Sequence, residues 1–112
     1  MGYWNGLDRL VSTHRIVVDR PKGTRSKVYP EEASPLDYGY LEGTVSGDGA
    51  GVDVWVGSLK GRAVTGVICT VDLLKGDVET KLLVGCSDEE AETALSCHNV
   101  GQQHGILVKR HT

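Results

Sequence analysis

The sequence predicts a mainly β domain: a small antiparallel barrel carrying two short peripheral helices. Three observations predict it. Short apolar runs, β-branched or alternating with polar residues, recur along the chain. Fifteen glycines break them up, a density that suits many turns between short strands. Only two segments, one near each end, carry helical periodicity.

In chain order, Tyr3, Trp4, Leu7, Leu10 and Val11 share one helical face, so a helix is expected over 3–11. A strand follows at about 14–19, built on Ile16-Val17-Val18 and ended by Pro21-Lys22-Gly23. Residues 20–36 hold the three prolines and many charges, and read as loop or extended chain. Tyr38–Val45 is a second strand, and Ser46–Gly51 a glycine-rich acidic turn. Val52–Val56 alternates, with Asp53 and Trp55 on one face. The segments 63–71 and 79–85 form a hairpin across the polar loop Asp72–Val78. Ser87-Asp88-Glu89-Glu90 is a capping box, opening a helix that runs to about Cys97. Gly105–Arg110 is a final strand. Strands this short are most simply satisfied by closure, which removes exposed sheet edges, so a small OB-like antiparallel β-barrel is expected.

The whole chain, 1–112, reads as one domain, with no internal repeat and no domain boundary. Apolar residues at 39% and charged residues at 24% are globular proportions. The net charge of −3 and the few aromatics argue against nucleic-acid binding, which favours a basic face. No apolar run is long enough to span a membrane, and Met1–Leu10 is too polar for a signal sequence. Cys69, Cys86 and Cys97 are odd in number and lack a CxxC spacing, as expected of reduced thiols in a cytoplasmic protein.

Three segments carry chemistry. In Asp19-Arg20-Pro21-Lys22-Gly23-Thr24-Arg25-Ser26-Lys27, a carboxylate at a strand end precedes Lys22, Arg25 and Lys27, donors suited to a polyanion. Pro35-Leu36-Asp37-Tyr38-Gly39-Tyr40 offers the Tyr38 phenol to a phosphate oxygen, although Tyr38 and Tyr40 are also ordinary strand aromatics. In Ser46-Gly47-Asp48-Gly49-Ala50-Gly51-Val52-Asp53-Val54, two carboxylates flank a glycine turn. Hard cations such as Mg²⁺ take oxygen ligands of this kind and keep several waters. Alone, the first segment also reads as a solvated basic turn and the third as an ordinary Asp-Gly turn.

As an ordered set, these segments resemble the family I soluble inorganic pyrophosphatases. Asp19, Pro21, Lys22, Gly23, Arg25 and Lys27 follow the family's first motif. Pro35, Asp37, Tyr38, Gly39, Tyr40, Gly43 and Thr44 follow the second, and Asp48, Gly49, Asp53 and Val54 the third. Asp72 and Glu79-Thr80-Lys81 fit the element after it, so the resemblance spans about 14–85. It implies Mg²⁺-dependent hydrolysis of diphosphate to two phosphates, with Mn²⁺ as an alternative ion. Asp48, Asp53, Asp72, Glu79 and Asp19 would hold metal. Lys27, Arg25, Tyr38 and Lys81 would bind phosphate oxygens, and Asp53, Lys27 and Tyr38 would take part in catalysis. The implied partner is pyrophosphate or another phosphorylated small molecule, and a homo-oligomer stays open.

The departures weaken the implied activity. Asp19 is one methylene shorter than the family's glutamate. Tyr29 stands where a further glutamate belongs, and 29–35 is too short for the family's arginine-bearing segment. The late tyrosine–lysine pair has no counterpart. The central aspartate of the acidic signature is Ala50, and a methyl group can neither ligate a metal nor accept a proton. Loss of a carboxylate acting as general base costs at least ~10²-fold. Two readings follow: a weakened pyrophosphatase, or a module that binds phosphate and metal without turnover. Asp77 is a substitute for Glu79 as a ligand. Cys97-His98 reads as a plain helix end, and His14, His104 and His111 show no partner pattern.

Overall fold

The computed structural model describes residues 2–25, 33–47 and 49–111. The elements are α1 (Tyr3–Thr13), β1 (Ile16–Arg20), β2 (Asp37–Leu41), β3 (Val52–Val56), β4 (Val64–Asp72), β5 (Asp77–Val84), α2 (Asp88–Ser96) and β6 (Gln103–Lys109). The strands form one sheet of order β1-β2-β3-β5-β4-β6. The fold is therefore mainly β with two helices, as the periodicity predicts.

Two details differ from the expected antiparallel barrel. The β3/β5 pair is parallel, with Val54 opposite Leu82. The sheet is open, and β1 and β6 are its edges. The reason lies in the last strand. β6 runs antiparallel along β4 from Gln103 to Lys109, and at Gly105 it is bonded by the Asn99 side chain, not by β1. The hairpin strands are also longer than expected. They reach Asp72 and restart at Asp77, so the loop shrinks to 73–76 around Gly76 at φ 71°. β2 stops early, at Leu41, where Gly43 turns the chain with φ 86°.

The period-2 alternation of the strands splits the core into two layers. Val54, Val67, Leu82 and Val84 point to one face, where α1 covers them with Leu7, Leu10 and Val11. Trp55, Ile68 and Leu83 point to the other, where α2 lays Ala91 and Ala94 on them. Full burial of one such aliphatic side chain is worth about 1.5–3 kcal/mol, so these two layers hold most of the apolar stabilisation.

Polar contacts fix where each helix sits. The Asp8 carboxylate in α1 accepts the Val64 amide at 2.9 Å and Arg110 Nη1 at 2.9–3.0 Å. Burial opposes its charge, but these bonds hold its pKa below the ordinary carboxylate range. At α2 the expected capping box is present: Ser87 Oγ accepts the Glu90 amide at 3.2 Å, and Glu90 Oε1 accepts the Ser87 amide at 2.9 Å. Glu90 also accepts the Ser58 amide, tying the cap to the chain after β3. In β2, Gly39 is required by close approach: a Cβ there would overlap the Val17 carbonyl of β1. Among the described residues, no helix is long and apolar enough to cross a membrane.

Candidate functional site

Lys81 is the centre of the most concentrated group of site residues. It alternates onto the α2 face of β5 together with Glu79. The parallel β3/β5 register then sets Asp53 beside it. Its ammonium lies 2.7 Å from Asp53 Oδ2 and 2.8 Å from Glu79 Oε2. The Lys81 side chain is 7% exposed and that of Glu79 5%, whereas Asp53 is 26% exposed, so the triad opens to solvent at Asp53. Burial disfavours the ammonium, but Tyr38 and the bonds to Asp53 and Glu79 outweigh it and raise the Lys81 pKa above its ordinary 10.5.

Tyr38, from β2, stands directly across from Trp55 of β3. The two rings lie 4.4 Å apart, and Lys81 Nζ lies 5.9 Å from the Tyr38 centroid. Burial pushes the Tyr38 phenol up to about 12, so at neutral pH it is an un-ionised donor. The Trp55 indole N–H donates to His98 Nε2 at 3.0 Å. His98 Nδ1 in turn lies 3.4 Å from Gln103 Oε1. A ring that accepts at Nε2 carries its proton at Nδ1, which assigns the tautomer. Burial first, and the nearby Lys81 charge second, push the His98 pKa down to about 4, so it is neutral.

Cys97 and His98 close α2, as expected, and the His98 ring finds its partners there. It is buried and forms one wall of the polar cluster. A histidine just past a capped helix shows no motif, and its partner Trp55 lies 43 positions away, so nothing in the local pattern pointed to it.

The remaining site candidates are more dispersed. Asp72 closes the β4–β5 turn, its Oδ1 accepting the Leu74 and Lys75 amides at 3.0 and 2.9 Å. It sits four residues along β4 from Ile68, the partner of Lys81, which is roughly 13 Å of strand. Asp77 is opposite Asp72, with Lys75 Nζ at 3.5 Å. Asp19 is exposed at the irregularity between Val18 and Arg20 on β1, two strands from β3. Arg25 is exposed and bridges to Ala33. Lys27, Tyr29 and Asp48 lie outside the described residues. Ala50 is exposed, and its carbonyl accepts the Ser46 amide at 2.7 Å. Asp37 accepts the Lys22 amide at 2.7 Å, which ties the basic loop to the start of β2.

Among the described residues, no three His, Cys, Asp or Glu side chains form a cluster able to hold a metal ion. Asp53 and Glu79 direct one oxygen each at Lys81. No protein-family model matches the chain, and no curated protein matches it.

Proposed function

We propose that this chain is a divergent member of the pyrophosphatase type that binds pyrophosphate or another small phosphoanhydride together with Mg²⁺, and that hydrolyses it slowly or not at all. One observation carries the reading. Tyr38, Asp53 and the β5 pair Glu79 and Lys81 are distant in sequence, yet they meet on one face of the sheet. All four are positions that follow the pyrophosphatase pattern.

The donor chemistry suits Mg²⁺ only if the ligand completes the site. Mg²⁺ is held by one or two carboxylates, waters and substrate phosphate oxygens, and needs no cage built wholly by the protein. Asp53, partly exposed, would supply one carboxylate, and Asp48 is the candidate for a second. The ion would supply charge neutralisation for the phosphates. Lys81 would hold a phosphate oxygen by charge, and the un-ionised Tyr38 would donate to one. Lys27 and Arg25 would extend the cationic wall. In a water-poor site such donors bind anions strongly.

Turnover is where the site falls short. Two-metal hydrolysis needs a carboxylate set that holds two ions about 4 Å apart and deprotonates the attacking water. Ala50 removes the residue that would do so, which is why binding rather than fast hydrolysis is proposed. Mn²⁺ can take the same oxygen ligands. A cytoplasmic location belongs to the same proposal. The experiment is phosphate release from pyrophosphate with Mg²⁺ and with Mn²⁺, using Lys27→Ala and Lys81→Met as controls. Slow or absent release by a chain that still binds pyrophosphate is expected. Fast release in the wild type would overturn the proposal, and so would absence of binding.

A further inference from the structure

The two edges of the sheet are finished differently. At β6 the Asn99 side chain takes both outward backbone groups of Gly105: its Nδ2 donates to the carbonyl at 3.2 Å, and its Oδ1 accepts the amide at 3.0 Å. That plugs the middle of the strand and keeps it from pairing with another chain. β1, the other edge, has no such plug. Among the described residues its one strand neighbour is β2.

Backbone parity identifies the groups of β1 that β2 leaves over. The Glu42 amide donates to the Arg15 carbonyl at 2.8 Å, so these two residues are a hydrogen-bonded pair of the antiparallel ladder. Such pairs alternate along the strands, which makes Val17 and Tyr40 the next one. The N–H and C=O groups of Ile16 and Val18 therefore point away from β2. No backbone bond among the described residues reaches them from outside the sheet. Val18 is 39% exposed, and the strand has no proline or lysine to discourage pairing.

This edge is complementary to itself. When two copies pair antiparallel about Val17, Ile16 faces the partner's Val18 and Arg15 faces the partner's Asp19. Ile16 and Val18 carry the outward groups, so this register makes them a hydrogen-bonded pair on both sides of the two-fold axis. Arg15, Val17 and Asp19 share the other row of side chains. The two Val17 side chains then meet at the centre, with an Arg15–Asp19 pair on either side. Opposite charges directly across a ladder are favourable, and like charges are not. Centring on Ile16 or Val18 instead would set Arg15 or Asp19 against Val17. Arg15 bonds Glu42 at 3.1 Å on the surface, and its fork of donors can hold a second carboxylate. Asp19 has no β2 partner, because the register shifts between Val18 and Arg20.

We propose that β1 pairs with β1 of a second copy of this chain, antiparallel and centred on Val17, giving a two-fold dimer with one continuous sheet. Opposed residues of such a pair share a face, so the polar clusters of both copies lie on the same side. Their β3 strands are five strand spacings apart, roughly 24 Å. The irregularity after Val18 keeps the contact short. A contact of this size is weak, with a Kd between about 1 µM and 1 mM.

The test is sedimentation velocity of the full chain from ~5 to ~500 µM, with amide hydrogen exchange at the same concentrations. The dimer should grow with concentration, and the Ile16 and Val18 amides should gain protection with it. The Val17 amide, which faces β2, should be protected throughout. Asp19→Arg sets like charges across both pairs and should weaken the dimer at least ~10-fold. Combining it with Arg15→Asp exchanges the charges and should restore the dimer. Val18→Pro removes an outward donor at an edge position that tolerates proline, and should abolish the dimer. If that variant unfolds, the charge variants still decide. A protein still monomeric at the top of the range overturns the proposal. So does a dimer that Asp19→Arg leaves intact, or a double variant no tighter than Asp19→Arg alone. Ile16 and Val18 amides that exchange equally fast in monomer and dimer also overturn it, because another surface would then be the interface.

Discussion

Replacing Lys81 with methionine should be among the most damaging single changes outside the apolar layers. Methionine keeps the length of the stem opposite Ile68, but it deletes the charge beside the Tyr38 ring. Asp53 and Glu79, which now share the ammonium at 2.7 and 2.8 Å, would then face each other with no cation between them. Removing one partner of a buried ion pair costs about 3–5 kcal/mol. Asp53 is 26% exposed, so water relieves part of the penalty and the lower end, about 3 kcal/mol, is expected. With urea slopes of about 1–3 kcal/mol/M for small domains, the midpoint should fall by 1 M or more at pH 7. The sign with pH follows from Lys81, whose folded pKa is raised. The bridge is thus whole at neutral pH, and its contribution is lost only as pH rises above 10.5, the ordinary lysine value. Adding Mg²⁺ should raise the variant's midpoint more than that of the wild type, since a cation can then take the vacated place. A loss below ~1 kcal/mol would refute the reasoning.

Three further outcomes follow. His98 should stay neutral down to about pH 4, so its ring proton shifts should be flat between pH 8 and 5; a midpoint near 6.5 would contradict its burial. The unfolded chain takes up that proton at about 6.5, so the stability His98 carries is whole above 6.5 and lost as pH falls toward 4, on the order of 3 kcal/mol in all. Ala50→Asp should fold normally, since Ala50 is exposed and not at positive φ, and should raise Mg²⁺ affinity and pyrophosphate hydrolysis together by at least ~10-fold; tighter Mg²⁺ without turnover would put the deeper loss at Tyr29 and the missing arginine segment. Ser87→Ala should lower stability by about 1 kcal/mol in urea unfolding, because the Glu90 amide loses its acceptor.

Much of the architecture was legible because its signals are local. Alternation marked Val52–Val56, Ser87-x-x-Glu90 marked the start of α2, and the apolar spacing 3-4-7-10-11 marked α1. The open sheet was not legible, because it depends on β6 choosing β4 as its neighbour, a pairing across more than 30 residues that leaves no trace in local pattern. Parallel pairing of β3 with β5 was hidden for the same reason. The site divides along similar lines. Glu79 and Lys81 share a face by simple alternation, and that was readable. Asp53 joins them only through the parallel register, and the resemblance to a known family, rather than geometry, had grouped the three. Trp55 and His98 were missed as site residues because an indole and an imidazole have no signature until the fold brings them together. Asp72 was grouped with the others by motif order, yet the backbone uses it to close a turn, as aspartates at hairpin loops commonly do.

Calorimetric titration of pyrophosphate into the wild-type protein, with and without Mg²⁺, tests the central claim most directly. Alone, pyrophosphate meets Asp53 and Glu79 as like charges, and Mg²⁺ alone meets too few carboxylates, whereas each would supply what the other lacks. Pyrophosphate should therefore bind at least ~10-fold more tightly with saturating Mg²⁺, a coupling of about 1.4 kcal/mol, and Lys81→Met or Tyr38→Phe should weaken the Mg²⁺-bound affinity. Equal pyrophosphate affinity with and without Mg²⁺, or no binding in either case, would contradict the account.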